Sequence, residues 1–270
     1  MNPAVRDLLS SVAVCYRLLK YKKYRDYWMM RFRYGAQERF REMTVHGGGA
    51  TFLIPDIASF LSTYEELIYR GVYTFEPKHD VPVILDFGSN IGLSLYFWMK
   101  NYPKAKVYGY EADPFIFKYL EHNVQGITNG NIELFNVALS DVEGELHFSS
   151  NHADGGHVSE TGVAVRAVDA ANELKKFDTI DMLKIDIEGS ERVVLPRIAP
   201  YLNRVENIFV EYHSEANKVQ FLPELLQILQ GAGFRIFVLP GFCAERPLAE
   251  KVANTGFDLQ LDVFGRRMSS

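Results

Sequence analysis

The sequence predicts an α/β protein with an open, mostly parallel β-sheet covered by helices on both faces. From Pro82 onward, short apolar runs alternate with helical stretches, which is typical of strand–helix–strand units. The first run, Val83-Ile-Leu, is bounded by turn residues, as expected for a strand buried on both faces. Two extended runs, Phe234 to Leu239 and Phe257 to Phe264, lack a convincing helix between them and predict a hairpin that adds one antiparallel strand.

Composition excludes several classes of protein. The 270 residues are 47% hydrophobic and 23% charged, which suits one large globular domain with an appendage. A formal net charge of −5 argues against nucleic-acid binding. The two cysteines, Cys15 and Cys243, follow no metal or redox spacing, and no apolar run reaches the length of about 18 residues that a membrane span needs. We therefore expect a cytoplasmic protein.

Residues 1–41 form a basic arm that is rich in aromatic side chains. The arm carries ten Lys/Arg against three Asp/Glu. A basic aromatic helix can lie on an anionic membrane surface or bind a partner protein. The alternative, which we favour, is that the aromatic side chains pack on the protein and the basic ones stay in water. The aromatic residues are Tyr16, Tyr21, Tyr24, Tyr27, Trp28, Phe32, Tyr34 and Phe40.

A hairpin and a helix are expected between the arm and the sheet. Met43 to His46 and Ala50 to Ile54 favour β-structure and flank three glycines, which predicts a β-hairpin. Asp56 can cap a helix from Ile57 to Tyr69, and Gly71 can end it. We therefore divide the chain into an accessory part, residues 1–77, and a core domain, residues 78–270.

The core domain is predicted to contain further strands and helices in alternation. Its strands are Lys106 to Glu111, Ile132 to Val137, Ile180 to Ile185 and Asn207 to Tyr212; its helices are Leu93 to Lys100, Pro114 to Val124, Glu191 to Ile198 and Phe221 to Gly231. A polar insertion adds a strand pair, Glu145 to Ser149 with Gly162 to Val168. The loop within it, with His152, Asp154 and His157, suits either a mobile lid over a substrate or a solvated hairpin tip.

Two strand ends indicate a nucleoside site. In open α/β sheets, ligands bind beyond the carboxyl ends of the strands. The first strand ends at Asp86, and the turn that follows contains Gly88 and Gly92, which allow a ligand close to the backbone. Glu111 ends the next strand, where an acid can accept hydrogen bonds from ribose hydroxyls. The turn lacks the G-x-G-x-x-G spacing of a dinucleotide site, so S-adenosylmethionine suits it better.

Four motifs resemble those of FkbM-type methyltransferases, which use S-adenosylmethionine and have a seven-stranded, Rossmann-like class I fold. The motifs are Val83-Ile-Leu-Asp-Phe-Gly-Ser-Asn-Ile-Gly-Leu-Ser, Tyr110-Glu-Ala-Asp-Pro, Asn136-Val-Ala-Leu-Ser-Asp and Leu183-Lys-Ile-Asp-Ile-Glu-Gly-Ser-Glu. The resemblance extends from about Asp56 to the C-terminus. It implies an open seven-stranded sheet and the cofactor-binding residues Asp86, Gly88, Ser89, Asn90, Gly92, Glu111, Ala112, Asn136, Val137, Ala138 and Asp186.

Catalysis is predicted at two further strand ends. Asp186 and Glu211 are expected to project from neighbouring strand tips into one crevice, with His213 beside them. Either His213 or a carboxylate removes a hydroxyl proton from the acceptor, or a divalent cation on Asp186 and Glu211 lowers the pKa of that hydroxyl. We favour the first route. An ion pair of Lys184 with Asp186 or Glu188 is the competing, structural explanation for these charges.

The sequence thus predicts O-methylation of a hydroxyl on a sugar, glycan or natural product, with S-adenosylhomocysteine as the second product. The alternatives are an N-methyltransferase, a nucleotide-binding oxidoreductase and a non-catalytic cofactor-binding scaffold that acts through the basic arm. The expected partner is a small molecule or glycan and not a nucleic acid. The identity of the acceptor, the metal dependence and the oligomeric state stay open.

Overall fold

The structure is a computed structural model that describes residues 16, 20–127, 131–149, 157–159, 162–216, 218–249 and 256–268. It divides into two compact units, Met1–Thr74 and Phe75–Ser270, and the division lies close to the predicted boundary after residue 77. Within the described residues, no helix is both long and apolar enough to cross a membrane.

The first unit contains helices and one hairpin. The hairpin forms as predicted, and Asp56 caps the following helix by accepting a hydrogen bond from the backbone N–H of Ser59 at 3.1 Å. That helix was expected to continue to Tyr69, but its last part has π-helical geometry before Gly71 ends it at φ +72°. The elements are α1 (Lys22–Tyr34), β1 (Met43–Gly47), β2 (Ala50–Ile54), α2 (Ile57–Tyr64) and the π-helical segment Glu65–Arg70.

Some aromatic side chains of the basic arm, residues 1–41, are buried and others are exposed. Tyr24, Tyr27 and Tyr34 on α1 are buried, and the rings of Tyr27 and Tyr69 stack with centroids 5.0 Å apart. Phe32 is 94% exposed, and Trp28 is 43% exposed. The arm therefore packs some aromatic side chains and leaves others in water. Membrane or partner contact through residues 1–41 stays a prediction.

The second unit is built on the predicted seven-stranded sheet. The strand order is β12-β13-β11-β10-β3-β4-β5; β13 alone runs antiparallel to its neighbours, so the predicted hairpin is confirmed. The chain moves outward from β3 through β4 to β5 and returns beside β3 at β10, which is the kind of switch point where such sheets bind ligands. The strands are β3 (Val83–Phe87), β4 (Lys106–Tyr110), β5 (Ile132–Phe135), β10 (Ile180–Ile185), β11 (Val205–Glu215), β12 (Phe234–Cys243) and β13 (Phe257–Arg267).

Helices and a second sheet accompany the main sheet. The predicted insertion is present as a sheet of four strands in the order β6-β9-β7-β8. Two of these strands, β6 and β8, were not predicted, and most of the loop proposed as a lid (residues 150–156 and 160–161) lies outside the described residues. The elements are α3 (Leu93–Asn101), α4 (Pro114–Gln125), β6 (Ala138–Ser140), β7 (Gly144–Ser149), β8 (His157–Ser159), β9 (Val163–Asp169), α5 (Ala170–Lys175), α6 (Glu191–Ile198), a 3₁₀ segment (Ala199–Arg204) and α7 (Leu222–Gly231).

Asp181 fixes the entry to β3 from the neighbouring strand. Its side chain is buried, with Oδ1 accepting from the backbone N–H of Lys78 at 3.0 Å and Oδ2 from that of Val83 at 3.0 Å. A buried carboxylate is costly unless donors satisfy its oxygens, and these backbone N–H groups do so. The carboxylate therefore secures the connector that delivers the chain into the central strand.

Asp181→Ala should lower the free energy of unfolding by about 1–3 kcal/mol, because it removes the acceptor that joins the connector at Lys78 to the start of β3 at Val83. Urea denaturation monitored by circular dichroism measures the change. Asp178→Ala, at a fully exposed carboxylate that lies 3.8 Å from Arg204, is the matched control and should change the value by less than about 0.5 kcal/mol. Equal effects of both substitutions would contradict this role of Asp181.

Candidate active site

The glycine turn after β3 packs directly against the tip of β10. Gly88 has φ +85°, and a Cβ on it would lie 1.7 Å from the backbone oxygen of Asp186. No side chain fits in that space, so glycine is required for the two strand tips to approach. Asn90 also has a positive φ, +47°, a conformation that asparagine tolerates better than most residues.

The backbone N–H groups of this turn are used within the protein. Those of Gly88 and Ser89 donate to the backbone oxygen of Tyr110 at 2.9 and 2.8 Å. That of Asn90 donates to the carboxylate of Glu111 at 2.9 Å, and that of Gly92 to the backbone oxygen of Ser89. A phosphate-binding turn presents such groups to its ligand. This turn is therefore not built to hold a diphosphate, as its spacing predicted.

Lys184 joins the tips of β3 and β10 electrostatically. The register aligns Lys184 with Asp86, and its Nζ lies 3.4 Å from Oδ1 of Asp86 and 3.1 Å from Oδ2 of Asp186. Nζ also donates to the backbone oxygen of Gly88. Burial by itself would lower the pKa of Lys184, but the carboxylates of Asp186 and Asp86 raise it above its ordinary value. Lys184 is thus a buried cation, and its partners are Asp186 and Asp86; the predicted pairing with Asp186 is present.

Glu111 ends β4 and is buried beside the turn. Its carboxylate accepts hydrogen bonds from the backbone N–H groups of Asn90 at 2.9 Å and Asp113 at 2.8 Å. Burial raises the pKa of Glu111 to about 7, although these hydrogen bonds oppose the shift. Asp113 raises this pKa as well, and Lys184 lowers it. The carboxylate is therefore held in a fixed orientation and changes charge near neutral pH.

These elements border a cleft of about 650 Å³, a volume that includes space open to solvent. Seven of the residues that the sequence assigned to the cofactor lie in its wall: Gly88, Asn90, Glu111, Ala112, Val137, Ala138 and Asp186. Apolar side chains of Ile116, Leu139, Phe148 and Ile187 complete one part of the wall, and Asp113, Glu188 and Ser190 contribute polar groups.

Four of the predicted cofactor-binding residues do not line the cleft. Asp86 is fully buried against Lys184, and Ser89 Oγ donates to the backbone oxygen of Asp86 at 3.0 Å. Gly92 packs against α4, where a Cβ would lie 3.0 Å from Leu120. Asn136 donates to the backbone oxygen of Glu111 at 2.8 Å. Each of them therefore makes a contact within the protein, and the contact of these four residues with the cofactor stays a prediction.

Glu188 is a wall residue that the sequence named only as an alternative ion-pair partner of Lys184. Its φ is +52°, in the left-handed region that few residues other than glycine adopt. Gly189 follows with φ +94°, so the backbone reverses sharply after β10. Positive φ values in non-glycine residues concentrate at functional sites. The signal in the sequence was the acid directly before a glycine at a strand end.

His213 lies on β11 among three carboxylates. Its Nδ1 is 3.3 Å from Oε1 of Glu191, and its Nε2 is 3.5 Å from Oε2 of Glu188 and 3.9 Å from Oε1 of Glu211. Burial lowers the pKa of His213, but these carboxylates together raise it well above the ordinary value. A histidine that is already protonated cannot accept a proton. His213 therefore does not suit the predicted role of general base in this form of the protein.

The two predicted catalytic acids do meet near this histidine. Asp186, Glu211 and His213 each offer one potential ligand atom, and these atoms lie within 4.8 Å of one another. Asp186 borders the cleft, whereas Glu211 and His213 do not. The ends of β10 and β11 therefore bring these side chains together, as predicted. Asp186 is the member of this group that also borders the cleft.

Residues 86–236 match the model of the methyltransferase FkbM domain, which covers more than half of the chain. The chain belongs to the FkbM methyltransferase family. It is therefore an S-adenosylmethionine-dependent methyltransferase, and the predicted family resemblance is confirmed. In this FkbM methyltransferase, every described residue that lines the cleft lies within the matched residues 86–236.

Curated relatives of this FkbM methyltransferase are distant. It is 26% identical over 172 residues to the 2-O-methyltransferase NoeI of Sinorhizobium fredii, with 55% of this chain and 70% of that protein covered. It is 28% identical over 145 residues to the hexuronic acid methyltransferase AglP of Haloferax volcanii, with 52% of this chain and 59% of that protein covered.

Solved structures share the fold. The FkbM methyltransferase of Methylobacillus flagellatus superposes with a TM-score of 0.50 at 16% identity. The match covers 74% of this chain and 47% of that chain, so this FkbM methyltransferase spans less than half of that protein's length. A SAM-dependent methyltransferase of Agrobacterium tumefaciens also gives a TM-score of 0.50 at 12% identity, with 86% and 72% covered.

The residues of the cleft fit S-adenosylmethionine. Glu111 offers a fixed carboxylate that can accept from ribose hydroxyls, and the apolar side chains of Ile116 and Leu139 suit an adenine ring. The carboxylates of Asp186 and Glu188 lie in the same wall and attract a sulfonium cation. A turn without available N–H groups is compatible with a donor that carries no phosphate.

Lys184→Met should lower the free energy of unfolding by about 3–5 kcal/mol, because it leaves the buried carboxylate of Asp86 and the partly exposed carboxylate of Asp186 without their cation. Urea denaturation measures the loss. Adding Asp86→Asn to this variant should restore part of the stability, since one of the two charges is then removed. Lys175→Met, at an exposed lysine, is the control, and a loss of equal size there would contradict the assignment.

Proposed function

We propose that this FkbM methyltransferase transfers a methyl group to a hydroxyl group of a sugar or of a sugar-bearing small molecule. The observation that carries the proposal is the placing of two carboxylates, Asp186 and Glu188, in the wall of the cleft that fits the methyl donor. Carboxylates accept hydrogen bonds from hydroxyl groups. NoeI is named as a 2-O-methyltransferase and AglP as a hexuronic acid methyltransferase, and these names support the same substrate class.

Different residues of the cleft would bind the methyl donor and the acceptor. Glu111, Ala112 and Val137 would hold the nucleoside end of the donor, and Gly88 allows the tips of β3 and β10 to approach each other beside it. When bound, S-adenosylmethionine supplies a methyl group that is already activated for attack by an oxygen lone pair, with sulfur taking the electrons of the broken bond. Alignment of the acceptor therefore provides much of the acceleration.

The carboxylates at the other end would orient the acceptor and take its proton. Asp186 is held by Lys184, so its orientation is fixed, and Glu188 presents a second carboxylate to the same space. A protonated His213 can stabilise the negative charge of Glu188 without accepting a proton. The proton of the hydroxyl thus passes to a carboxylate and not to the imidazole. Family membership favours this reaction over the oxidoreductase and scaffold alternatives.

The substrate proposal is tested by incubating the enzyme with methyl-labelled S-adenosylmethionine and a panel of neutral sugars, uronic acids, polyketides and matched amines. We expect label in an O-methyl group of a sugar or uronic acid, identified by NMR of the isolated product. Label on nitrogen would support the N-methyltransferase alternative and contradict the proposal. Label on a polyketide hydroxyl alone would exclude sugars as the acceptor and still support O-methylation.

Asp186→Asn and Glu188→Gln should each lower kcat by about 100-fold or more, because each removes a carboxylate that orients or deprotonates the hydroxyl. Binding of S-adenosylhomocysteine, measured by calorimetry, should change by less than about threefold in Glu188→Gln. Glu121→Gln, at an exposed acid on α4, serves as the control and should retain the full rate. Full activity in both cleft variants would exclude a carboxylate base at this position.

Affinity for S-adenosylhomocysteine should rise about tenfold from pH 6 to pH 8. Glu111 has a pKa raised to about 7, so lower pH protonates it and removes a hydrogen-bond acceptor for the ribose. Glu111→Gln should bind about 10- to 100-fold more weakly at pH 8 and lose this pH dependence. Calorimetric titration at several pH values measures both effects, with Glu121→Gln as the control. The same pH dependence in Glu111→Gln would refute the ribose assignment.

A further inference from the structure

One imidazole nitrogen of His213, Nε2, makes no hydrogen bond to the residues that the structure describes. The side chain of His213 is 1% exposed, and its Nε2 has no hydrogen-bond partner within the described residues. Buried polar atoms of this kind are rare because they lose their hydration without compensation. Nε2 points toward carboxylates, at 3.5 Å from Glu188 and 3.9 Å from Glu211. These distances are longer than those of good hydrogen bonds, so the two carboxylates do not satisfy Nε2.

Glu191 holds the other nitrogen of the same ring. Nδ1 lies 3.3 Å from Oε1 of Glu191. That carboxylate is itself fixed, since Oε1 accepts from the backbone N–H of Ile187 at 3.0 Å and Oε2 from that of Gly189 at 2.9 Å. Histidines that bind metals usually donate from one nitrogen to such an anchored carboxylate, which directs the lone pair of the second nitrogen to the ion. Glu191 is therefore placed as a positioning residue for Nε2, and a cation that binds there displaces the proton from this nitrogen.

We propose that Asp186, Glu211 and His213 bind one divalent cation of the Mn²⁺ type. Their potential ligand atoms lie within 4.8 Å of one another. Ligand atoms around one such ion are about 3–4.2 Å apart, since each lies about 2.1 Å from the metal, so a small inward shift of the carboxylates completes the set. Two carboxylates with one imidazole suit Mn²⁺, which accepts oxygen ligands and tolerates nitrogen. The position of Nε2 thus supports a cation on Asp186 and Glu211, and Glu188, outside this ligand set, stays the carboxylate that takes the proton of the acceptor.

The position of the ion indicates what it does. Asp186 belongs both to this ligand set and to the wall of the cleft, so the ion lies next to the space for the acceptor. A divalent cation there binds two adjacent oxygens of one acceptor, such as a vicinal diol or a hydroxyl beside a carboxylate. It also overcomes the repulsion between an anionic acceptor and the acids of the site. This role rests on the proposed methyl transfer to sugars, whereas the metal site does not.

The test is a titration of the metal-free protein with Mn²⁺, followed by electron paramagnetic resonance. The signal of free aqueous Mn²⁺ should decrease until about one ion is bound per chain. Asp186→Asn, Glu211→Gln and His213→Gln should each weaken binding at least about tenfold, and Glu191→Gln by about tenfold. Glu121→Gln should bind as the unchanged protein does. Electron spin-echo modulation from a coordinated nitrogen should be present in the unchanged protein and absent in His213→Gln.

Calorimetry with S-adenosylhomocysteine separates this proposal from the proposed function. Each variant that still binds S-adenosylhomocysteine is folded, so Glu211→Gln keeps the test valid if His213→Gln fails to fold. Failure of the unchanged protein to bind Mn²⁺, or equal Mn²⁺ binding in all the ligand variants, overturns the metal site and leaves methyl transfer untouched. Mn²⁺ binding without any binding of S-adenosylhomocysteine would overturn the proposed function and leave the metal site in place.

Discussion

The ion-pair cluster around Lys184 is the constraint on which the rest of the site depends. Lys184 lies in a strand whose residues are all buried, and its charge there is compensated by Asp86 and Asp186 on two adjacent strand tips. Its further contact with the backbone oxygen of Gly88 fixes the glycine turn against β10. The turn positions Asn90 for Glu111, and the end of β10 positions Glu188. One buried cation thus sets the relative positions of the donor side and the acceptor side of the cleft.

Much of the fold was predictable, because alternating apolar runs and punctuating glycines are local properties of the sequence. The seven-stranded sheet follows the predicted strands closely at Ile180–Ile185 and Val83–Phe87. The short strand Ala138–Ser140 was missed because it is stabilised by pairing with Val163–Asp169, a partner distant in sequence. The π-helical geometry of Glu65–Arg70 was also missed, since the periodicity of apolar residues does not distinguish it from an α-helix.

The site was predictable in its residues and less so in their roles. Glu111 and Asp186 border the cleft, as a position at a strand end indicates. Asp86 and Asn136 also lie at strand ends, but their side chains contact the protein instead of lining the cleft. Asp86 pairs with Lys184, and Asn136 donates to the backbone oxygen of Glu111. The sequence could not reveal that Glu191 anchors His213 from a neighbouring helix, because that contact depends on the packing of α6 against β11. Strand ends therefore identify candidate residues, and side-chain orientation decides which of them reach a ligand.

The hydrogen bonds within the glycine turn have a consequence for turnover. Because the N–H groups of Gly88, Ser89 and Asn90 are satisfied by the protein itself, the turn is already formed before any ligand arrives. A preformed wall binds with little loss of conformational entropy, and its contacts with a nucleoside do not change when the methyl group leaves. We expect the spent donor to be retained about as firmly as the fresh one at this end. We therefore expect the spent donor to inhibit the enzyme by occupying the same contacts that bind the fresh one.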